Sequence, residues 1–586
     1  MKKIFSFLLA VLMLISALPV AYAAESGGNW SSGTTVVYTA ANTEGWTLTV
    51  PAKLAPGSSG TVTLEGYWPS NKQLTVTAQD NVVLTNSINA ANQKSLDISF
   101  VGISELGSDT NSQKFSESIS VEPIANALFG KWNGVFYYTV GTQELDTVSQ
   151  LQEQYDFEYY STMNLAVTDV NNGTIGANAD VDKEDAVAGI YTDENGGVNV
   201  VLLQDTTEAT RIQPTVDMTI NLGGHTLSSE DLVVIQPTAG TITIDGRLEG
   251  STIKQDSNTA RYLLQCINDS TTIVKGGTYT LDLTVEKLPT SCFTAFHTAH
   301  LKLENATINT ASLFDTRGIT LNQGTSATIT NSNINVNGTE LSYGIYTGLE
   351  TNAIVTNCNV TAIAANGKSF GLSNNGIATI SSCGIKAYAN YLYGDETYYA
   401  DNSIGVINDG TLTFNDCYVT GTHSGISNRG PLYVNGGTYE GYGHGGFYFA
   451  GTGTTSYVRN ATIRECAMPD GYTATANCNG VGFYIGGDVG NDNIDVYMDN
   501  CDIYGSSNQI VLRGSSGEQN NSLYISNSNV YDMDGDTISI RIDNDTHRLY
   551  IGTGNNFTVD NAVTWGSITN WDGIVINTDE TYTYNN

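Results

Sequence analysis

From Thr219 to the C-terminus, short runs of alternating apolar and polar residues are interrupted by one recurring signature. A polar residue and Asn, Ser or Gly are followed by a small residue, one variable position and then a β-branched or aromatic residue. Representative copies are Glu304-Asn-Ala-Thr-Ile, Thr330-Asn-Ser-Asn-Ile, Thr356-Asn-Cys-Asn-Val, Asp499-Asn-Cys-Asp-Ile and Ser526-Asn-Ser-Asn-Val. The closing apolar residues are Leu227, Ile253, Tyr279, Ile308, Ile334, Val360, Ile385, Val419, Tyr439, Ile463, Ile503, Val530 and Phe557. Most of the intervals are 24 to 29 residues, and the outliers are 34, 20 and 40. Helical periodicity is nearly absent. A repeat of this length means stacked supersecondary units, and period-2 alternation makes each unit a set of short strands.

The pattern predicts an all-β fold, a right-handed parallel β-helix of about 13 rungs preceded by a small β-sandwich. The repeat resembles the pectin-lyase-like β-helix superfamily over roughly 340 residues. That superfamily hosts lyases, hydrolases, phage spikes and adhesins, so the resemblance implies a fold and no one activity. A second column supports the register. Gly371-Leu-Ser-Asn-Asn-Gly, Gly405-Val-Ile-Asn-Asp-Gly and Gly425-Ile-Ser-Asn-Arg-Gly place Asn374, Asn408 and Asn428 in an inward asparagine ladder at a turn. Asparagine suits such a place because it tolerates left-handed backbone and bonds neighbouring amides.

Residues 24–140 read as strands separated by Pro, Gly and Asn turns, at sandwich-like spacing. They resemble the β-sandwich modules at the N-termini of secreted Gram-positive surface proteins. Residues 141–205 are less regular and are assigned as connector and N-terminal cap, with a short helix over 149–160. A solenoid must hide the open backbone of its first rung. Residues 206–586 form the β-helix and its C-terminal cap.

Residues 1–23 are predicted to be a signal peptide. Lys2 and Lys3 precede an apolar run to Val20, and Ala21-Tyr22-Ala23 is a small-x-small cleavage site. The protein is therefore expected to be secreted or held at the cell surface, with no membrane span. The formal charge is −35, with 24 basic and 59 acidic residues. Removing the two leader lysines takes it to −37 and leaves 22 basic residues. So few cations argue against nucleic acid, whose phosphates need Lys and Arg, and against polyuronates.

Cys358, Cys383 and Cys417 share one repeat position with Cys501, as do Ala306, Ser332, Gly437, Ala461 and Ser528. A place that accepts all of these is a small buried slot, so stacked free thiols are expected. Cys266 and Cys292 are one period apart and within bonding reach if both point the same way. Cys466 and Cys478 flank a loop and are the candidate disulfide.

Chemistry is sparse. Gly443-His444-Gly445 and Asn577-Thr578-Asp579 resemble polygalacturonase motifs, but their order is reversed and the accompanying paired aspartates and Arg-Ile-Lys are missing. Asp532, Asp534 and Asp536 resemble a truncated calcium loop without the terminal Glu, so calcium is the only candidate cofactor. Rung length is more informative. Long connections at 386–402 and 464–480 bracket two short ones and predict a lateral cleft. Tyr388, Tyr391, Tyr393 and Tyr398 lie in the first insertion, Tyr442 lies near the floor, and Tyr448 and Tyr484 are expected to share one outward column of the next strand in neighbouring rungs. Tyrosine offers sugars a flat apolar face with a polar edge. His423, His444, Glu440 and Asp401 are the candidate hydrogen-bonding or acid–base groups, with His423 and His444 expected to stack in adjacent rungs. Arg429, Arg513 and Arg541 are expected to share a column. The reading is a surface-associated binder of extracellular glycan or another host or bacterial surface ligand. The alternatives are a polysaccharide hydrolase or lyase, and a structural stalk.

Overall fold

The computed structural model describes residues 20–586 apart from 27–36, 42–45, 52–53, 55, 69–71, 80, 87–92, 108–111, 123–131, 256–260, 284–288, 390–402, 442–444, 452, 466–480, 487–492, 507, 513–519, 534–538, 543–546, 557–560, 565–566, 571–573, 577–581 and 585–586. Among the described residues the protein is all-β with two short α-helices. It divides into one unit of residues 1–154 with 247–249, and a second of 155–246 with 250–586.

The smaller unit is an antiparallel sheet. Its order is Val37–Ala41, Trp46–Pro51, Ser59–Gly66, Gln113–Val121, Gln93–Phe100, Asn81–Asn86, Trp132–Glu144, Lys72–Ala78, Ile103–Leu106. The sheet curls, because Leu48, Leu64 and Ile119 near one end share a core with Leu74, Val76 and Ile103 at the other. Val20–Ser26 pairs antiparallel with Trp132–Glu144.

The larger unit is a parallel β-helix. Each turn contributes two strands to one long sheet and a third to another, and the second sheet holds 13 strands among the described residues. The strands His300–Glu304, Thr307–Ser312 and Asp315–Leu321 make up one such turn. They define a first, a second and a third face. The apolar ladder read from the sequence is the core of the second face. Leu227 pairs with Ile253, Ile253 with Tyr279, Tyr279 with Ile308, and so on to Ile503 with Val530. Phe557 lies outside the described residues.

The repeat signature is the bend between the first and second faces. Its Asn, Ser or Asp takes left-handed backbone at Asn305, Asn331, Asn357, Ser382, Asp416, Asn460, Asn500 and Asn527, with φ from 49° to 56°. Asn and Asp enter this region most cheaply among residues with a side chain. The bend swings the next residue inward. Ala306, Ser332, Cys358, Cys383, Cys417, Ala461, Cys501 and Ser528 are all buried there. All six described cysteines are free. Cys266 pairs with Ala295 and not with Cys292.

The asparagine ladder forms. Asn374 Nδ2 donates to Asn408 Oδ1 at 2.8 Å, and Asn408 Nδ2 to Asn428 Oδ1 at 2.7 Å. It sits at the ends of third-face strands without left-handed backbone, which belongs to the other bend. The third face also needs its strand glycine. A Cβ at Gly371 would collide with Ile385 across the narrow core.

The helix Met163–Asn172 packs on Val198–Leu202 at the start of the solenoid. Thr162 caps its N-terminus by accepting from Leu165 N, and Gly173 closes it with φ of 66°. Buried Glu208 accepts from Met163 N at 2.8 Å, placing its charge at the positive end of the helix. The residues expected to be helical, 149–160, instead split into the helix Val148–Gln154 and the strand Glu158–Tyr160.

Candidate functional site

The long and short connections leave the solenoid at one corner, between the second and third faces. Second-face strands end at Ala389, Gly421, Gly441 and Glu465, and the next third-face strands begin at Ser403, Ser424, Phe447 and Val481. Two long segments therefore flank two short ones. Tyr391, Tyr393, Tyr398, Asp401, Tyr442, His444, Cys466 and Cys478 lie outside the described residues, as do Asp534, Asp536 and Arg513.

Glu440 is the best-defined of the candidate residues. It lies on the second face, with Thr420 and Arg464 beside it in adjacent turns. Its side chain is only 5% exposed, against 48% for Arg464. The Tyr418 hydroxyl donates to Glu440 Oε2 at 2.6 Å, and the Arg464 guanidinium donates to Oε1. Lys386 Nζ stands 5.8 Å from the Tyr418 ring centroid. A hydrogen bond and an ion pair fix the buried carboxylate in place. Each oxygen already accepts from a neighbouring side chain, so the carboxylate is held in one orientation between Tyr418 and Arg464.

His423 is 9% exposed. Its Nδ1 is 2.9 Å from Ser424 Oγ, and its backbone N donates to Ser403 O at 2.8 Å. Tyr388 pairs with Ile363 and is half-buried. Asp532 pairs with Gly505. Among the described residues no group of three His, Cys, Asp or Glu is placed to hold a metal ion.

Tyr448 and Tyr484 occupy one outward column of the third face, as their spacing predicts. Their rings meet edge to face with centroids 5.2 Å apart, and they pack with Val481 and Val511. Tyr484 is 7% exposed, so its ring is spent on this cluster. Arg541 pairs with Val511 in this same column, two positions away from that of Arg429.

A larger aromatic feature escaped sequence reading. Tyr433, Tyr457, Tyr497, Tyr524 and Tyr550 are outward neighbours in five successive turns of the first face. Centroid separations fall from 5.8 to 5.2, 4.6 and 4.4 Å, and interplanar angles fall to 2°. Stacked in this way, the inner rings show ligands their edges and hide their faces. Tyr433, the first ring, follows the smaller Thr413 and is 41% exposed. A second stack, Tyr504 on Tyr531 at 4.6 Å, extends the second-face column that contains Glu440 and Arg464. The signal was present as apolar-Tyr-apolar: Leu432-Tyr-Val, Val496-Tyr-Met, Leu523-Tyr-Ile and Leu549-Tyr-Ile.

No protein family matches this sequence, and no curated protein matches it. A solved structure, the catalytic domain of a GH87 alpha-1,3-glucanase in complex with nigerose, aligns over 94% of this chain and 98% of that chain. Identity is 9% and the TM-score is 0.19, and at those values the alignment assigns no activity.

Proposed function

We propose that this is an exported, surface-associated protein that binds neutral glycan along the second face of its β-helix without cleaving it. One observation carries the reading. Tyr418 and Arg464, 37% and 48% exposed, are both anchored to the buried Glu440 carboxylate. Next in the column stand stacked Tyr504 and Tyr531, the latter 38% exposed. Anchored polar groups lose little freedom on binding, and planar rings beside fixed polar groups are what sugar surfaces require. Glu440 and His423, buried and turned toward protein partners, favour binding over hydrolysis. Export rests on the leader-like pattern of residues 1–23.

The test is a panel of immobilised neutral and polyanionic polysaccharides, run beside an assay for new reducing ends. Retention on a neutral polysaccharide with no new reducing ends supports the proposal. Cleavage of the retained polymer would transfer the protein to the hydrolase class, and retention only on polyanions would contradict the charge argument.

A further inference from the structure

The core of the smaller unit contains two carboxylates where its strands call for apolar residues. In Gln113–Val121, Glu117 stands at an inward position two residues before Ile119, and it is 3% exposed. In Ile103–Leu106, Glu105 stands two residues after buried Ile103, and it is 8% exposed. Their partners across the sheet are Val62 and Leu74, both fully buried. The curl of the sheet brings the two carboxyls close enough for the charge of Glu117 to act on Glu105.

Among the described residues no cation neutralises them. Lys114 on the same strand as Glu117 points outward and pairs with Glu65 of the neighbouring strand at 2.9 Å. On Gln93–Phe100, Asp97 alternates with buried Leu96 and Ile98, while Lys94 stands near the strand start. On Lys72–Ala78, Lys72 is the first residue and lies opposite Glu144. Arg247, which groups with this unit, donates to Gln73 Oε1 at 3.2 Å. Glu117 Oε1 is buried without a hydrogen-bond partner, and the backbone hydrogen bond at Ser118 offsets only part of the effect of burial on this carboxyl.

Buried charge persists only when paired, and a carboxyl without a partner neutralises by taking up a proton. We infer that Glu105 and Glu117 form a proton-binding pair that tightens the smaller unit in acid and loosens it as pH rises through neutrality. Burial, reinforced by the charge of Glu117, raises Glu105 to about 8, and burial raises Glu117 to about 7. Both folded-state values lie above those of the unfolded chain. The pair's stabilising effect is therefore complete below the unfolded value of about 4.5 and is lost as pH rises through the folded values.

The test uses the full chain, with Trp46 and Trp68 as reporters. Both lie in this core, and Trp68 Nε1 donates to the Glu105 carbonyl at 3.3 Å. Thermal unfolding followed by tryptophan fluorescence should give a midpoint that falls by about 4 °C or more between about pH 5 and about pH 9. Glu117→Gln and Glu105→Gln, which keep shape and remove the titration, should each flatten that slope and raise the midpoint at the alkaline end. An unchanged slope in both variants would overturn the inference. A second readout needs no variant. Near pH 6 the wild-type chain should release protons on unfolding, about two if both carboxyls are protonated when folded. This is measured by calorimetry in buffers of different ionisation enthalpy, and zero release would also overturn the inference. So would calcium at millimolar concentration restoring the alkaline midpoint in wild type but not in Glu117→Gln, because the pair would then be a cation site.

Discussion

The backbone N–H of Cys358 points at the sulfur of Cys383 in the next turn, 3.3 Å away. The small residue after each left-handed bend is thus in register with its counterparts above and below, and the thiols pack without bridging. Burial pushes the Cys383 and Cys417 thiols well above their ordinary range. Cys358, Cys383 and Cys417 should resist a thiolate-directed reagent in the native protein and react on unfolding. The measurement is mass spectrometry of labelled peptides, and rapid native labelling of all three would mean that the register is wrong.

The asparagine ladder predicts an asymmetric cost. Asn408→Ala removes the acceptor of Asn374 and the donor to Asn428, both buried. Asn374 Nδ2 keeps its bonds to Gly376 O and Thr411 O, so the buried Asn428 Oδ1 is the group left bare, and the β-helix should lose about 1–3 kcal/mol. Chemical denaturation of Asn408→Ala should show this loss, whereas Asn366→Ala, on an exposed turn, should stay within about 0.5 kcal/mol of wild type.

These two features mark what was legible in the sequence. The small slot and the strand glycines recur with the turn, so composition alone aligns them. The bend Asn was visible as a repeat, but its left-handed backbone was assigned to Asn374 and its relatives instead. Cys266 and Cys292 lie 26 residues apart, whereas the turn containing them runs 29 residues from Cys266 to Ala295. Arg541 was misplaced for the same reason, because counting through connections of unequal length loses the register that paired strands hold. The helix Met163–Asn172 was hidden by its Asn and Thr content, which is poor in helix formers. Of the site, Glu440 was found as a residue, but its ties to Tyr418 and Arg464 depend on register across three turns.

The tyrosine stack should stabilise from within. Tyr497 stacks on both Tyr457 and Tyr524, and Tyr433 stacks on one ring at its exposed end. With each stacked pair contributing about 1 kcal/mol beyond burial, Tyr497→Ala should cost about 3 kcal/mol and Tyr433→Ala about 1. Paired denaturation curves check the ratio, and equal costs would show that the stack is not continuous.

The second face, as a non-catalytic glycan surface, is open to a direct test. The direct measurement is a titration of a neutral polysaccharide retained by the wild type into wild-type, Tyr418→Phe and Tyr531→Ala proteins, with reducing ends assayed on the same samples. Binding should weaken by about fivefold or more in both variants, equivalent to about 1 kcal/mol or more, with no new reducing ends in any sample. Wild-type affinity in both variants, or reducing ends accumulating with the wild-type protein, would contradict this reading of the second face.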